Sequence, residues 1–443
     1  MLFKRKLYEQ MLDWKTKRHG KSALLIKGAR RVGKSTLVEH FAKQEYKSYV
    51  VIDFSRSSKL VDELFDDLSD LDFFFLRLQN LFDVQLYHNE SVIIFDEVQF
   101  KPTARQAIKH LVADGRYDYI ETGSLISIRK NVKDILIPSE ETAMTLHPMD
   151  FEEFYWACHD NATFDLFRQM FEAHRPLGQS THRKWMRELR LYMLVGGMPQ
   201  AVDAYLQHNN LQQVDEIKRD ILVLYDNDFL KIDPTGQISK LFMSIPSQLY
   251  NKSAHFSTSI LAPGKTPQRV ALQISDLEDS QTILLAHHVN DPNVGMELSK
   301  DLYRYKIYLA DTGLFVTLAF KDKLYTDNVI YQKLLSDKLE ANLGYIYENL
   351  VAQMLTASGN RLYYHTFPTG KGNNNYEVDF MLSRGHKVCP IEVKSSGYRT
   401  HKSLDVFRER FPSRISNSYL LYTKDYSKEG SVTCLPVYFT GLL

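Results

Sequence analysis

Gly28-Ala29-Arg30-Arg31-Val32-Gly33-Lys34-Ser35 sets two glycines, a lysine and a hydroxyl at the spacing of a phosphate-cradling loop. Glycine at both ends lets backbone N–H groups fold around phosphate oxygens, and a helix starting at Lys34 adds positive potential. Lys34 is expected to reach the β- and γ-phosphates, Ser35 to ligate Mg2+, and Thr36 to lie beside the phosphates. A second part of such a site follows in Val92-Ile-Ile-Phe-Asp96-Glu97, an apolar run ending in two acids. Asp96 can complete the Mg2+ shell, and Glu97 can orient and deprotonate an attacking water. A third run ends in Glu121-Thr122-Gly123-Ser124, where the hydroxyl of Thr122 or Ser124 could sense a γ-phosphate; a simple turn explains it equally well. The chemistry implied is ATP hydrolysis with Mg2+.

A second constellation lies near the C-terminus. Asp379 sits in Tyr376-Glu-Val-Asp-Phe380, and Glu392-Val-Lys394 falls in the next β-rich run. Strand side chains alternate faces, so Glu377 and Asp379 share one face, and Glu392 and Lys394 share another. If the two faces coincide, two carboxylates and a lysine converge, with Glu348 on the preceding helix as a further metal ligand. Such a group could hold Mg2+ and activate water against a phosphodiester. The competing reading is a charged sheet face kept for packing or binding. Between Lys394 and Lys424, Arg399, Lys402, Arg408, Arg410 and Arg414 outnumber Asp405 and Glu409, which suits either a phosphate-binding or a solvated surface.

The elements that must position these residues can be read from periodicity. Short β-rich runs at 23–27, 49–54, 92–95 and 117–121 alternate with amphipathic stretches, predicting a parallel sheet covered on both faces. The aromatic segment 151–156 reads as the buried stripe of a lid helix. Gly196-Gly197 and Pro199 mark a chain reversal. Helices are expected next, then a helix over 267–277 and strands at 282–289 and 305–309 joined by a turn at 290–295. Helix, helix, hairpin is a winged-helix layout. His287 and His288 are adjacent on a strand, point to opposite faces and read as structural. A helix over 344–356, strands at 362–367, 377–382 and 388–393, a helix over 404–411, and strands at 419–422 and 435–439 complete an α+β region.

Whole-chain properties narrow the class. A chain of 443 residues implies two or three domains, and a net charge of +1 gives no global preference for nucleic acid or an anionic membrane. The three cysteines, Cys158, Cys389 and Cys434, lack metal-ligand spacing and suit a reducing cytoplasm. No apolar stretch approaches the roughly 20 residues needed to cross a bilayer, and the basic N-terminus lacks a signal-peptide core. A cytoplasmic protein without membrane partners is expected.

The order GARRVGKST, YVVIDF, IIFDEVQ, ETGS, HPMDFEEFYWA, GGMPQ, YLADTGL, EVDF and IEVKSS resembles a prokaryotic AAA-type ATPase family carrying the C-terminal DUF4143 domain. The resemblance spans nearly the whole chain. It implies an α/β AAA-like P-loop ATPase with a parallel sheet and helical lid at 1–206, and a winged-helix-like region at 207–305. An α+β restriction-endonuclease-like domain at 306–443 would follow, with Asp379, Glu392 and Lys394 matching its D…E-x-K pattern. Relatives carry a Gly-Arg pair before the PMDFEEF-like segment, whereas Ser139–Thr145 here has no arginine. Arg31, Arg116 and Arg129 are the remaining candidates for a finger. The resemblance implies ATP as ligand, with DNA, a protein partner or self-association as candidate partners.

Overall fold

The computed structural model describes residues 2–66, 68–123, 140–159, 161–261, 267–322, 331, 334–336, 343–370, 374–396 and 400–443. Ser124, Arg129 and Arg399 lie outside them. The chain divides into two compact units, one of Met1–His147 with Asp279–Gln281, the other of Pro148–Glu278 with Thr282–Leu443.

In the first unit the chain runs α1 (Leu7–Arg18), β1 (Ala23–Lys27), α2 (Lys34–Glu45), β2 (Ser48–Asp53), α3 (Lys59–Leu64), α4 (Leu71–Phe82) and β3 (Ser91–Asp96). It continues through α5 (Pro102–Asp114), β4 (Asp118–Gly123) and β5 (Glu141–Thr145). The strands form a five-stranded sheet in the order β2-β3-β4-β1-β5, parallel in every pairing. Both faces of the central strands β1, β3 and β4 are buried, as the unbroken apolar runs of β1 and β3 require. Leu24 and Ile26 of β1 pack with Leu37, Val38 and Phe41 of α2, while Ala23 and Leu25 pack on the opposite side with Ile108 and Leu111 of α5. The edge strand β5 was not expected from the sequence. Its residues, Glu-Thr-Ala-Met-Thr, are half-exposed and show no apolar alternation to betray a strand.

The second unit begins with helices α6 (Phe151–Cys158), α7 (Asn161–Glu172), α8 (Gln179–Val195), α9 (Pro199–His208), α10 (Leu211–Ile232) and α11 (Gln237–Tyr250). After α12 (Ala271–Asp279) come β6 (Ile283–Val289), α13 (Met296–Ser299), β7 (Lys300–Leu309), α14 (Thr312–Ala319) and α15 (Gly344–Ala357). Next are β8 (Tyr363–Pro368), β9 (Asn375–Arg384), β10 (Lys387–Lys394), α16 (Lys402–Arg410), β11 (Ser418–Tyr422), β12 (Ser427–Glu429) and β13 (Val432–Pro436). The sheet order is β12-β13-β11-β10-β9-β8-β6-β7.

Several features add to or depart from the sequence reading. The boundary between the two compact units falls at 147/148. The aromatic stripe Phe151, Phe154 and Tyr155 is buried as expected, but it packs with Phe164, Phe167, Trp185 and Tyr192. Phe167 in turn lies 4.7 Å from the Phe439 ring, so the predicted lid helices share the core of the C-terminal segment. The predicted hairpin forms, with Ile283 opposite Leu309, but β6 also pairs in parallel with β8. It is therefore continuous with the C-terminal sheet and does not stand apart as a wing. Finally, the last strand is Val432–Pro436, and residues 437–442 turn into a 3-10 helix. Pro436 has no N–H to continue a ladder, so the predicted 435–439 strand ends there.

Two sequence motifs meet inside this unit. Asp311 caps α14 and accepts from the Leu314 N–H at 2.7 Å and the Gly197 N–H at 2.5 Å. A Cβ on Gly197 would lie 2.1 Å from the Met149 carbonyl oxygen, and one on Gly313 2.5 Å from Gly196 Cα. The glycines of GGMPQ and YLADTGL are there because two backbones touch. Buried Lys218 seals the join, donating to the Leu194 carbonyl at 2.5 Å and the Gly313 carbonyl at 3.3 Å.

Candidate nucleotide site and carboxylate cluster

The phosphate loop connects β1 to α2 and is shaped by residues in the left-handed region, Arg31 at φ 69° and Gly33 at φ 96°. Arg31 tolerates this conformation on the exposed side of the loop, and Gly33 adopts it without strain. Gly28 answers a different demand: a Cβ there would sit 2.4 Å from the Leu146 carbonyl oxygen. Val32 and Ala29 are buried beneath the loop, while Arg30, Ser35 and Thr36 are exposed. Lys34 is buried, and its ammonium donates to the Gly28 carbonyl at 3.0 Å and the Ala29 carbonyl at 3.1 Å. Burial pushes its pKa down, and the charges of Glu97 and Asp96 pull it back. An ammonium held on carbonyls can exchange those partners for phosphate oxygens.

Ser35, Asp96 and Thr122 converge. The Ser35 hydroxyl donates to Asp96 Oδ1 at 2.8 Å, and Thr122 donates to the same oxygen. The Glu97 N–H donates to Thr122 Oγ1 at 3.2 Å. Parallel pairing explains this: β4 lies between β1 and β3, so the C-terminal ends of all three strands open at one edge. A hydroxyl beside a carboxylate is the donor set that suits Mg2+, and the ion would be held by Ser35 and Asp96 and would offset phosphate charge. Of the two hydroxyls proposed to sense phosphate, Thr122 is placed beside Asp96, and Ser124 lies outside the described residues.

Two contributors were missed in the sequence. Gln99 is buried, and its side-chain amide donates to Glu97 Oε2, while Glu97 itself has φ 54°. Arg5 is buried far upstream and donates to the Val32 carbonyl at 3.1 Å and the His147 carbonyl at 2.5 Å, bracing the loop. Gln99 ends the IIFDEVQ segment, but its type and spacing assigned it no role there, and Arg5 belongs to no local pattern. Arg116, one of the finger candidates, is already engaged. It is tied to Asp114 at 2.8 Å and Asp72 at 2.6 Å, covers the Phe75 ring, and precedes β4 at the end of the sheet opposite the phosphate loop.

In the second unit the strand faces coincide. The antiparallel register sets Ile391 opposite Phe380, which brings Glu392 alongside Asp379 on one face. Asp379 Oδ2 accepts the Val393 N–H at 2.7 Å, and Lys394 pairs with Glu392 Oε1 at 2.8 Å. Glu392 is 5% exposed, and among the described residues its Oε2 has no hydrogen-bond partner. Burial pushes the Asp379 carboxyl well up, and Glu348, Glu377 and Glu392 reinforce the shift against Lys306. Lys306, which the sequence did not single out, is also on this face. Its Nζ lies 2.5 Å from Glu377 Oε1 and 3.7 Å from Glu348 Oε2. Among the described residues, no three His, Cys, Asp or Glu side chains meet in a ready metal-binding group. The carboxylates therefore sit on one face, but as separately paired groups and not as a formed metal cage.

His287 and His288 both have partners within the sheet region. His287 lies on a backbone carbonyl, and His288 bonds Thr366 Oγ1 at 3.2 Å and stacks on His365. In the basic segment, Lys402 and Arg410 are exposed, whereas Arg414 pairs with Asp291 and lies over Phe411. All three cysteines are free, and among the described residues no helix is long and apolar enough to cross a membrane.

A parallel sheet with its phosphate loop after β1, and an acidic pair ending the strand two places away, defines an AAA-type P-loop ATPase domain. The family models agree: an AAA domain matches residues 20–155, a domain of unknown function (DUF8612) matches 186–324, and DUF4143 matches 343–439. The chain thus carries an AAA domain followed by a C-terminal DUF4143 domain. No curated protein matches it. Among solved structures, a Walker-type ATPase of Pyrococcus abyssi is 15% identical, with 72% of this chain and 96% of that chain covered, at a TM-score of 0.41. The Aeropyrum pernix ORC1 protein in complex with DNA is 13% identical over 74% of this chain and 94% of its own, at a TM-score of 0.29. Superpositions this loose add nothing to what the sheet order and loop already define.

Proposed function

We propose that the chain is a Mg2+-dependent ATPase whose nucleotide state governs its second unit, acting on or near DNA in the cytoplasm. The observation that carries this reading is the meeting of Ser35, Asp96 and Thr122, with Glu97 one residue on, beside the phosphate loop. Gly28–Thr36 would hold the nucleotide, Lys34 would meet the β- and γ-phosphates, and Glu97 would orient the attacking water. Mg2+, held by Ser35 and Asp96, would neutralise charge on the phosphates when bound. A γ-phosphate gained or lost at Thr122 would be the signal sent onward.

The test is ATP turnover with and without double-stranded DNA, comparing wild type with Glu97→Gln. DNA-stimulated turnover that the variant loses supports the reading. Tight ATP binding without turnover in either condition would favour a nucleotide-gated interaction module awaiting a protein partner or a second subunit.

A second reading has its own support. The helix–three strands–helix–strand succession from α15 to β11, with the shared face of Asp379, Glu392 and Lys394, fits a restriction-endonuclease-like domain. The unpartnered Glu392 Oε2 favours a cation there, held by Asp379 and Glu392 with Glu348 nearby. Plasmid cleavage in Mg2+ or Mn2+ that Glu392→Ala abolishes would support an ATP-controlled nuclease; cleavage as fast as wild type would mark contamination. The domain extents proposed are 1–206, 207–305 and 306–443.

A further inference from the structure

The carboxylate face carries one more cation than its D…E-x-K pattern calls for. Glu348, Glu377, Asp379 and Glu392 supply four acids, and Lys394 answers only Glu392 directly. Lys306 enters from β7, far from the motif in sequence. It is 5% exposed, bonded to Glu377 at 2.5 Å and 3.7 Å from Glu348. Tyr308, two residues along the same strand, donates its hydroxyl to Glu348 Oε2 at 3.4 Å, and the Tyr364 ring lies 5.6 Å from the ammonium. A lysine buried this deeply needs compensation for lost hydration, and the two glutamates provide it. Glu377 and Glu348 are thus answered by a side chain. Asp379 and Glu392 differ. Asp379 has a backbone N–H at one oxygen, and Glu392 keeps a buried oxygen without a partner among the described residues.

We propose that the Lys306 ammonium is a resident cation of this cluster, so that the face accepts a single divalent ion, at Asp379 and Glu392, where a lysine-free face would accept two. This rests on the nuclease-like reading of the C-terminal domain. Removing Lys306 would uncover Glu348 and Glu377 as a second cation site, because two buried carboxylates without a counter-charge attract one strongly.

The experiment counts Mn2+ bound to the full-length, nucleotide-free chain by electron paramagnetic resonance and calorimetry. The phosphate-loop unit is identical in every sample, so differences report on the cluster. Glu392→Gln should bind one ion fewer than wild type, and Lys306→Met one ion more. Adding Glu377→Gln to Lys306→Met should return the count to the wild-type value. Lys306→Arg, which keeps the charge, should leave it unchanged. Should Lys306→Met fail to fold, Lys306→Gln, which retains a donor for Glu377, takes its place in the same count. An unchanged count on removing Lys306 overturns the inference about Lys306. An unchanged count in Glu392→Gln overturns the metal reading beneath it, and the two failures appear in different variants.

Discussion

Replacing Thr122 with valine removes one hydroxyl and leaves the shape of the side chain nearly intact. That hydroxyl donates to Asp96 Oδ1 and accepts the Glu97 N–H at 3.2 Å, so it ties together the metal-binding acid and the backbone of the proposed general base. A hydrogen bond to a charged group contributes roughly 1.5–3 kcal/mol. If it is needed to hold Asp96 and Glu97 in the transition state, each 1.36 kcal/mol is about tenfold in rate. Turnover by Thr122→Val should therefore fall roughly 10- to 150-fold. ATP affinity should change less than turnover, because Thr122 acts through Asp96 and the backbone of Glu97. The assay is phosphate release at saturating ATP, paired with titration of a fluorescent ATP analogue. Thr122→Ser should recover most of the rate. A folded Thr122→Val protein that hydrolyses ATP at the wild-type rate would refute the reasoning.

Three further outcomes are expected. Gln99→Ala should raise basal ATP turnover by about tenfold, because the Gln99 amide competes with water for Glu97 Oε2; a fall in rate would mean that Gln99 orients Glu97 productively. Gly197→Ala should lower stability by about 3 kcal/mol in denaturant unfolding, since its Cβ would meet the Met149 carbonyl at 2.1 Å; an unchanged midpoint would show that the two backbones can part. Acid should loosen the second unit. Burial, with Arg304 and His365, lowers His288 to about 4 from an ordinary 6.5, so the fold prefers the neutral ring. Its contribution is whole above pH 6.5 and is lost as pH falls toward 4. Thermal midpoints measured across that range should decline, and His288→Asn should flatten the decline.

The nucleotide site was legible in the sequence because its chemistry is local. Gly28 to Thr36 is one loop between a strand and a helix, and Asp96-Glu97 ends one buried strand. The spacing alone dictates which backbone groups can face a phosphate. The C-terminal acids were legible for a similar reason, since alternation along β9 and β10 assigns Asp379, Glu392 and Lys394 to faces. Whether those faces coincide depended on register, and the pairing of Ile391 with Phe380 settled it. Tertiary structure alone decided the rest. Thr122 was chosen over a simple turn because β4 falls between β1 and β3, and strand order is a property of the whole sheet. Lys306 reaches Glu377 across 71 residues, and Arg5 reaches His147 across 142. Gly196 of GGMPQ and Gly313 of YLADTGL are required by a contact between backbones more than a hundred residues apart. Periodicity records which face of an element is buried but not which distant element covers it, and that choice is made only when the chain packs.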